Sequence, residues 1–182
     1  MKGKFRRISR WAIKMFTLII GGSASGKSEY AEGLLPRGGV YIATMCPWDD
    51  ECLTRIAKHQ KMRAKKGFTT VECYTGLDKV EIPAGWDVLI EDIGNLTANE
   101  LFGGAGDGTA DAVTAGVKRL VRRGGHVVAV SNEVFSGGAD YGGETVKYMR
   151  ILGRINRNLA SFADNVCEIV CGVPIYHKGA EG

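Results

Sequence analysis

Apolar residues come in short unbroken runs separated by longer amphipathic stretches. Phe16-Thr17-Leu18-Ile19-Ile20, Val40-Tyr41-Ile42-Ala43, Val88-Leu89-Ile90, Val127-Val128-Ala129-Val130 and Val166-Cys167-Glu168-Ile169-Val170 each read as a strand. Pro174-Ile175-Tyr176-His177 adds a last one after a Gly172-Val173 turn. The runs are short, yet apolar at successive positions, so both faces of each strand must be covered. Between them the pattern predicts helices over 28–35, 48–65, 94–102, 109–123 and 144–163. The last carries Tyr148, Ile151, Leu152, Ile155 and Leu159 at helical spacing. Strands alternating with helices place the chain in the α/β class, with a mostly parallel sheet and helices on both faces. The Gly-rich stretches 103–108 and 136–143 read as loops. No repeat or linker interrupts the pattern, so residues 15–182 are expected to form a single domain.

The most informative polar segment sits between the first strand and the first helix. Gly21-Gly22-Ser23-Ala24-Ser25-Gly26-Lys27-Ser28 is a complete G-x-x-x-x-G-K-[ST] phosphate-binding loop in the strand–loop–helix context it requires. Its glycines let backbone N–H groups turn toward a polyphosphate, and the helix N-terminus adds positive potential. Lys27 would reach the β/γ-phosphates and Ser28 would hold Mg²⁺. The chain is therefore expected to bind a nucleoside triphosphate.

Charge changes this picture little. The formal net charge is +4, but Lys2, Lys4, Arg6, Arg7, Arg10 and Lys14 lie in a leader without acids. Removing those six from the 24 basic residues leaves 18 against 20 acidic ones. The body of the chain thus carries no nucleic-acid footprint. Residues 1–14 hold no apolar run long enough for a signal peptide or a membrane span. They are expected to be a disordered basic extension ahead of a functional start near Met15, with a weak membrane-surface or nucleic-acid arm as the alternative. The five cysteines (46, 52, 73, 167, 171) form no C-x-x-C pair, and Cys167 and Cys171, placed on one strand, are too far apart to bridge. Reduced thiols and a cytoplasmic location fit this usage.

A second polar constellation lies in 47–63. Pro47 and the acids Asp49, Asp50 and Glu51 suit a helix N-terminus. Arg55, His59 and Arg63 then recur every four residues on one face. Neighbouring cations would keep His59 neutral and nucleophilic near neutral pH, and the arginines would neutralise phosphate oxygens. Spacing alone favours a solvated basic face with His59 a spectator, so the catalytic reading needs further support. His126 and His177 read as structural or solvated.

The series continues past these two segments. Tyr41-Ile42-Ala43-Thr44, Arg55-Ile56-x-x-His59, Thr70-Val71-Glu72, Val88-Leu89-Ile90-Glu91, Thr97-Ala98-Asn99-Glu100-Leu101-Phe102, Ser131-Asn132-Glu133-Val134, Gly153-Arg154-x-Asn156 and Val170-x-Gly172-x-Pro174 follow in order. From about residue 16 to 178 the chain resembles the bifunctional adenosylcobinamide kinase / adenosylcobinamide-phosphate guanylyltransferase family of cobalamin biosynthesis.

The resemblance implies a RecA-like P-loop fold, a homo-oligomer (usually a trimer) and two activities. One phosphorylates adenosylcobinamide. The other transfers GMP from GTP to its phosphate through a guanylylated histidine, here His59, releasing pyrophosphate. GTP and Mg²⁺ are the implied partners of the corrinoid, with ATP open for the kinase step. Thr44, Arg55, Gln60, Lys61, Met62, Arg63 and Glu72 match segments that hold the guanine nucleotide. Glu91 is expected as the second Mg²⁺-ordering carboxylate, with Asp92 its competitor. Asn132 and Glu133 would touch nucleotide or substrate, or cap a loop. The chain departs from the family pattern at Phe68, at Met149-Arg150 and in the loop after Glu133, positions associated with the corrinoid or the kinase step. The alternatives are a P-loop kinase of another small alcohol, with His59 merely an anion contact, and a non-catalytic RecA-like nucleotide-binding module.

Overall fold

The computed structural model describes residues 14–47, 60, 61, 63–134 and 141–179. Seven strands form one sheet: β1 (Met15–Gly21), β2 (Gly39–Ala43), β3 (Phe68–Glu72), β4 (Val88–Ile90), β5 (His126–Asn132), β6 (Asn165–Val170) and β7 (Val173–Lys178). Their order across the sheet is β3-β2-β4-β5-β1-β6-β7. The first six run parallel, and β7 returns antiparallel to β6. The helices are α1 (Lys27–Gly33), α2 (Ile93–Gly103), α3 (Thr109–Arg123) and α4 (Gly143–Phe162). Among the described residues no helix is long and apolar enough to cross a membrane.

Alternation along each strand explains the unbroken apolar runs. Leu18, Ile42, Ile90 and Ala129 face a core shared with Ile93 and Leu96 of α2, Val113 and Leu120 of α3, and Leu152 and Ile155 of α4. Ile19, Tyr41, Leu89 and Val128 face the opposite core, which Ala31 of α1 and Leu35 close. Every central strand therefore buries both sets of side chains, as a parallel sheet with helices on two faces requires.

Most predicted elements fall where expected, and the differences have local causes. β3 was not anticipated: Phe68-Thr69-Thr70-Val71-Glu72 is polar because it is an edge strand that pairs with β2 alone. The first helix ends at Gly33 rather than at 35, since Pro36 disfavours helical backbone in the residue before it. Cys171 stands in the β6–β7 turn with φ 50°, not on a strand, and Val173 belongs to β7 rather than to the turn. Of the helix expected over 48–65, residues 60, 61 and 63–65 are helical and 66–67 form a turn; 48–59 and 62 lie outside the described residues. So do the leader up to 13 and the loop residues 135–140.

Parallel register brings the carboxyl ends of β1, β2, β4 and β5 to one rim. Gly21 stands opposite Asn132, Ile42 opposite Ile90, and Ile90 opposite Ala129. In open α/β sheets this rim is where ligands bind.

Candidate nucleotide site at the strand ends

The phosphate-binding loop leaves β1 with no room to spare. A Cβ on Gly21 would lie 2.7 Å from the Ile169 carbonyl oxygen and 2.8 Å from Ser25 Oγ, so only glycine fits there. Gly26 holds φ 94° at the start of α1, and Ala24 is also left-handed at φ 54°. Successive turns of this kind point backbone N–H groups into one concavity, a nest for an anion. The loop is held from behind by the β6–β7 turn: Gly172 N donates to Ser25 O at 2.9 Å, and a Cβ on Gly26 would meet Gly172 Cα at 3.4 Å.

Lys27 is buried, with Nζ donating to Gly22 O at 2.6 Å. Burial pulls its pKa below the usual lysine value, and the nearby Asp92 carboxylate opposes that shift. Among the described residues, Ser25 Oγ is the buried side-chain polar atom without a hydrogen bond. An orphaned hydroxyl inside an anion-binding loop is what a site completed by a phosphate would show.

Opposite the loop, two adjacent carboxylates end β4 and do different work. Glu91 accepts from Arg63 Nη2 at 2.5 Å, from the Tyr41 hydroxyl at 3.1 Å and from Thr44 N at 2.9 Å. The Arg63 guanidinium lies 3.7 Å from the centre of the Tyr41 ring. Asp92 caps α2, its Oδ1 accepting from Gly94 N at 2.6 Å and Asn95 N at 3.2 Å. Asn132 Nδ2 donates to both of its oxygens at 3.0 Å. Burial raises the Asp92 pKa, against the lowering effect of the Asn132 hydrogen bond. Tyr148 of α4 feels this carboxylate: burial first, then Asp92, pushes its hydroxyl up to about 12.

Ser28, Glu91, Asp92, Asn95, Tyr41 and Arg63 line one cavity of about 320 Å³. A hydroxyl and two carboxylates suit a magnesium ion, which keeps several waters and takes few protein ligands. Both carboxylates already accept hydrogen bonds, Glu91 from Arg63, Tyr41 and Thr44 and Asp92 from Gly94, Asn95 and Asn132, and Asp92 is the one near enough to Lys27 to oppose the lowering of its pKa. Thr44 is fully buried: its hydroxyl donates to Asp92 O at 3.0 Å and its carbonyl accepts from Asn99. It holds the Glu91 carboxylate and the Asp92 backbone from behind.

The remaining expected residues divide. Gln60 Nε2 donates to Glu72 Oε1 at 2.7 Å, joining the two exposed side chains, and Lys61 is exposed. Arg63 is buried, so at this position the solvated basic face does not hold. His59, Arg55 and Met62 lie outside the described residues. Asn132 orients Asp92, not a loop. His126 is structural, its ring paired with Thr17 Oγ1 at 2.9 Å, and His177 pairs with Glu168 on the surface. Phe68 is in the core, edge-on to the cavity-lining Tyr41 with ring centres 5.8 Å apart. Tyr41, Asn95 and Tyr148 were not anticipated at the site. The hydroxyl of a tyrosine inside an otherwise aliphatic strand was the available signal for Tyr41.

A second, larger cavity of about 750 Å³ opens on the α4 side of the same rim. Ile20 and Glu133 form one wall; Val146, Met149, Arg150, Gly153 and Arg157 of α4 form the other. Glu133 N donates to Gly21 O at 3.0 Å, so this wall adjoins the phosphate-binding loop.

The family model for "Cobinamide kinase / cobinamide phosphate guanyltransferase" matches residues 17–176. The chain belongs to that family. Within it, the bifunctional adenosylcobalamin biosynthesis protein CobU of Escherichia coli (strain K12) is 32% identical over 182 residues, covering 90% of this chain and all of the relative. CobP of Pseudomonas aeruginosa, of the same description, is 30% identical over 173 residues, covering 91% and 98%. Solved structures with the same P-loop, RecA-like fold include the flagellar accessory protein FlaH from Methanocaldococcus jannaschii. It has a TM-score of 0.50 and 15% identity, covering 92% of this chain and 80% of that one. PH0250 from Pyrococcus horikoshii OT3 gives 0.50 and 13%, covering 94% and 89%. This member of the cobinamide kinase / guanyltransferase family thus places an enzyme site on a RecA-like frame.

Proposed function

We propose that this protein phosphorylates adenosylcobinamide and then transfers GMP from GTP to adenosylcobinamide phosphate, giving adenosylcobinamide-GDP and pyrophosphate. The observation that carries the reading is the convergence of Ser28, Asp92 and Arg63 on one cavity beside Lys27, in a chain matched to the family over 17–176.

In the kinase step the acceptor hydroxyl attacks the γ-phosphorus of ATP or GTP and the nucleoside diphosphate leaves. Lys27 and the loop N–H groups hold the phosphates and offset the charge that develops on them. In the second activity His59 attacks the α-phosphorus of GTP, a P–N bond forms and the α–β P–O bond breaks, with pyrophosphate taking the electron pair. The acceptor phosphate oxygen then displaces His59 from the GMP phosphorus. Two such displacements replace one harder transfer. Magnesium held at Ser28 and Asp92 would supply charge neutralisation on the phosphate oxygens. Arg63 and the Gln60–Glu72 pair support a guanine-side role for the helical segment that follows His59. The same reading includes assembly as a homo-oligomer, a trimer by the family resemblance, and a cytoplasmic location, to which the free thiols of Cys46, Cys73, Cys167 and Cys171 are suited.

Incubation with GTP labelled on the α-phosphate, followed by denaturation, tests the reading. An acid-labile adduct that disappears in His59→Ala and is discharged by adenosylcobinamide phosphate is expected. An adduct that survives His59→Ala, or no adduct in the wild type, overturns it.

A further inference from the structure

The larger cavity is not needed for the nucleotide, and its chemistry differs from that of the smaller one. Its α4 wall is a single helix face, since Val146, Met149, Arg150, Gly153 and Arg157 recur at three- and four-residue intervals. Val146 and Met149 supply apolar surface at the N-terminal end of this face, and Arg150 and Arg157, both exposed, lie seven residues apart along it with Gly153 between them. Gly153 stands in the interior of a 20-residue helix, where glycine is disfavoured. With no side chain there, Gly153 offers only backbone to the cavity. About 750 Å³ lies in the upper part of the ~300–1,000 Å³ range of small-molecule sites. Asn132 Nδ2 donates to Asp92 at the smaller cavity, and the Tyr148 hydroxyl of α4 lies 2.9 Å from where a Cβ on Gly94 would stand.

Resting on the function proposed above, we infer that this cavity seats the acceptor corrinoid: the macrocycle lies against Met149 and Gly153, and Arg150 and Arg157 draw its phosphate-bearing arm. A corrin is a broad ring with apolar faces and an amide rim, and its reacting oxygen stands at the end of a flexible arm. Such a ligand needs a wide apolar seat beside the phosphate-binding loop rather than inside it. Two guanidiniums against the one Glu133 carboxylate favour an anionic arm. Met149 and Arg150, where the chain departs from the family pattern, then act on the acceptor and not on the nucleotide.

Equilibrium dialysis of adenosylcobinamide phosphate, read by the visible absorbance of the corrin ring, tests the assignment. Gly153→Trp is expected to weaken binding at least tenfold, and Met149→Glu, at a half-buried position, to do the same. Arg157→Glu is expected to weaken the phosphorylated ligand more than adenosylcobinamide itself. Cooperative melting of each variant confirms that it is folded. If the wild type binds the corrinoid and folded Gly153→Trp and Met149→Glu both bind within twofold of it, the location is wrong while the proposed function stands. If the wild type retains no corrinoid at all, the proposed function falls, and the location with it.

Discussion

Arg63 reaches Glu91 at 2.5 Å while its guanidinium carbon stands over the Tyr41 ring, 3.7 Å from its centre. One side chain thereby ties the helical turn at 63–65 to the ends of β2 and β4. The ion pair is nearly closed to solvent, with side-chain exposures of 8% and 15%. Removing one partner strands the other charge, which costs more than the pair contributes.

Arg63→Ala is therefore expected to lower stability by about 3 kcal/mol, or roughly 6–12 °C in melting temperature for a chain of this size. The paired change Arg63→Met with Glu91→Gln should recover much of the loss. Thermal melts of the three proteins decide this, and equal damage in single and double variants would show that the ion pair is not the cause.

Asp92 serves two ends that one substitution separates. Asp92→Asn keeps an acceptor for the Gly94 and Asn95 N–H groups, and Asn132 can turn its amide so that its oxygen accepts from the new Nδ2, so stability should change by less than about 1 kcal/mol. Loss of the carboxylate charge should cut GTP turnover by about 100-fold or more and shift the magnesium requirement upward. Melting beside a magnesium titration of activity separates the two. Asp92→Ala should lose both.

Gly21→Ala adds one methyl group against the Ile169 carbonyl oxygen at 2.7 Å. A fixed backbone atom gives way poorly, so a loss of roughly 1–3 kcal/mol is expected, together with weakened triphosphate binding. Fluorescent GTP-analogue titration and urea denaturation measure the two effects. Unchanged affinity would show that the loop tolerates displacement from β6.

His126 makes stability depend on pH. Burial lowers its pKa from 6.5, although Asp87 and Asp164 act in the opposite direction. The folded protein thus favours the neutral ring, while the unfolded chain takes up a proton near pH 6.5. The contribution is complete above that value and is lost as pH falls through the window below it. Urea midpoints should decline from pH 7.5 to 5, and His126→Gln, which can still bond Thr17, should flatten that slope. An equal slope in the variant would assign the dependence to other groups.

Central strands and amphipathic helices were readable because their burial is one-sided or complete. Val127 to Val130 had no alternative to a covered strand, and α3 matched its expected 109–123 residue for residue. β3 was not readable, because an edge strand shows polar residues to solvent and loses the period that marks it. The phosphate-binding loop was legible for a different reason: its glycines answer to backbone geometry, as at Gly21 and Gly26. The roles of Glu91 and Asp92 could not be separated by adjacency alone. Which of the two meets Arg63 depends on how β2 and β4 register, a tertiary fact.

The hydrogen bond from Gly172 to Ser25 gives the far edge of the sheet a voice in the chemistry. Val173 and Ile175 of β7 expose apolar side chains, and the turn that starts this strand is the backing of the triphosphate loop. Under the function proposed above, a substitution at Gly172 is expected to change nucleotide affinity, which titration with a fluorescent GTP analogue measures. In that reading the hairpin is a lever whose short arm would lie under the phosphates.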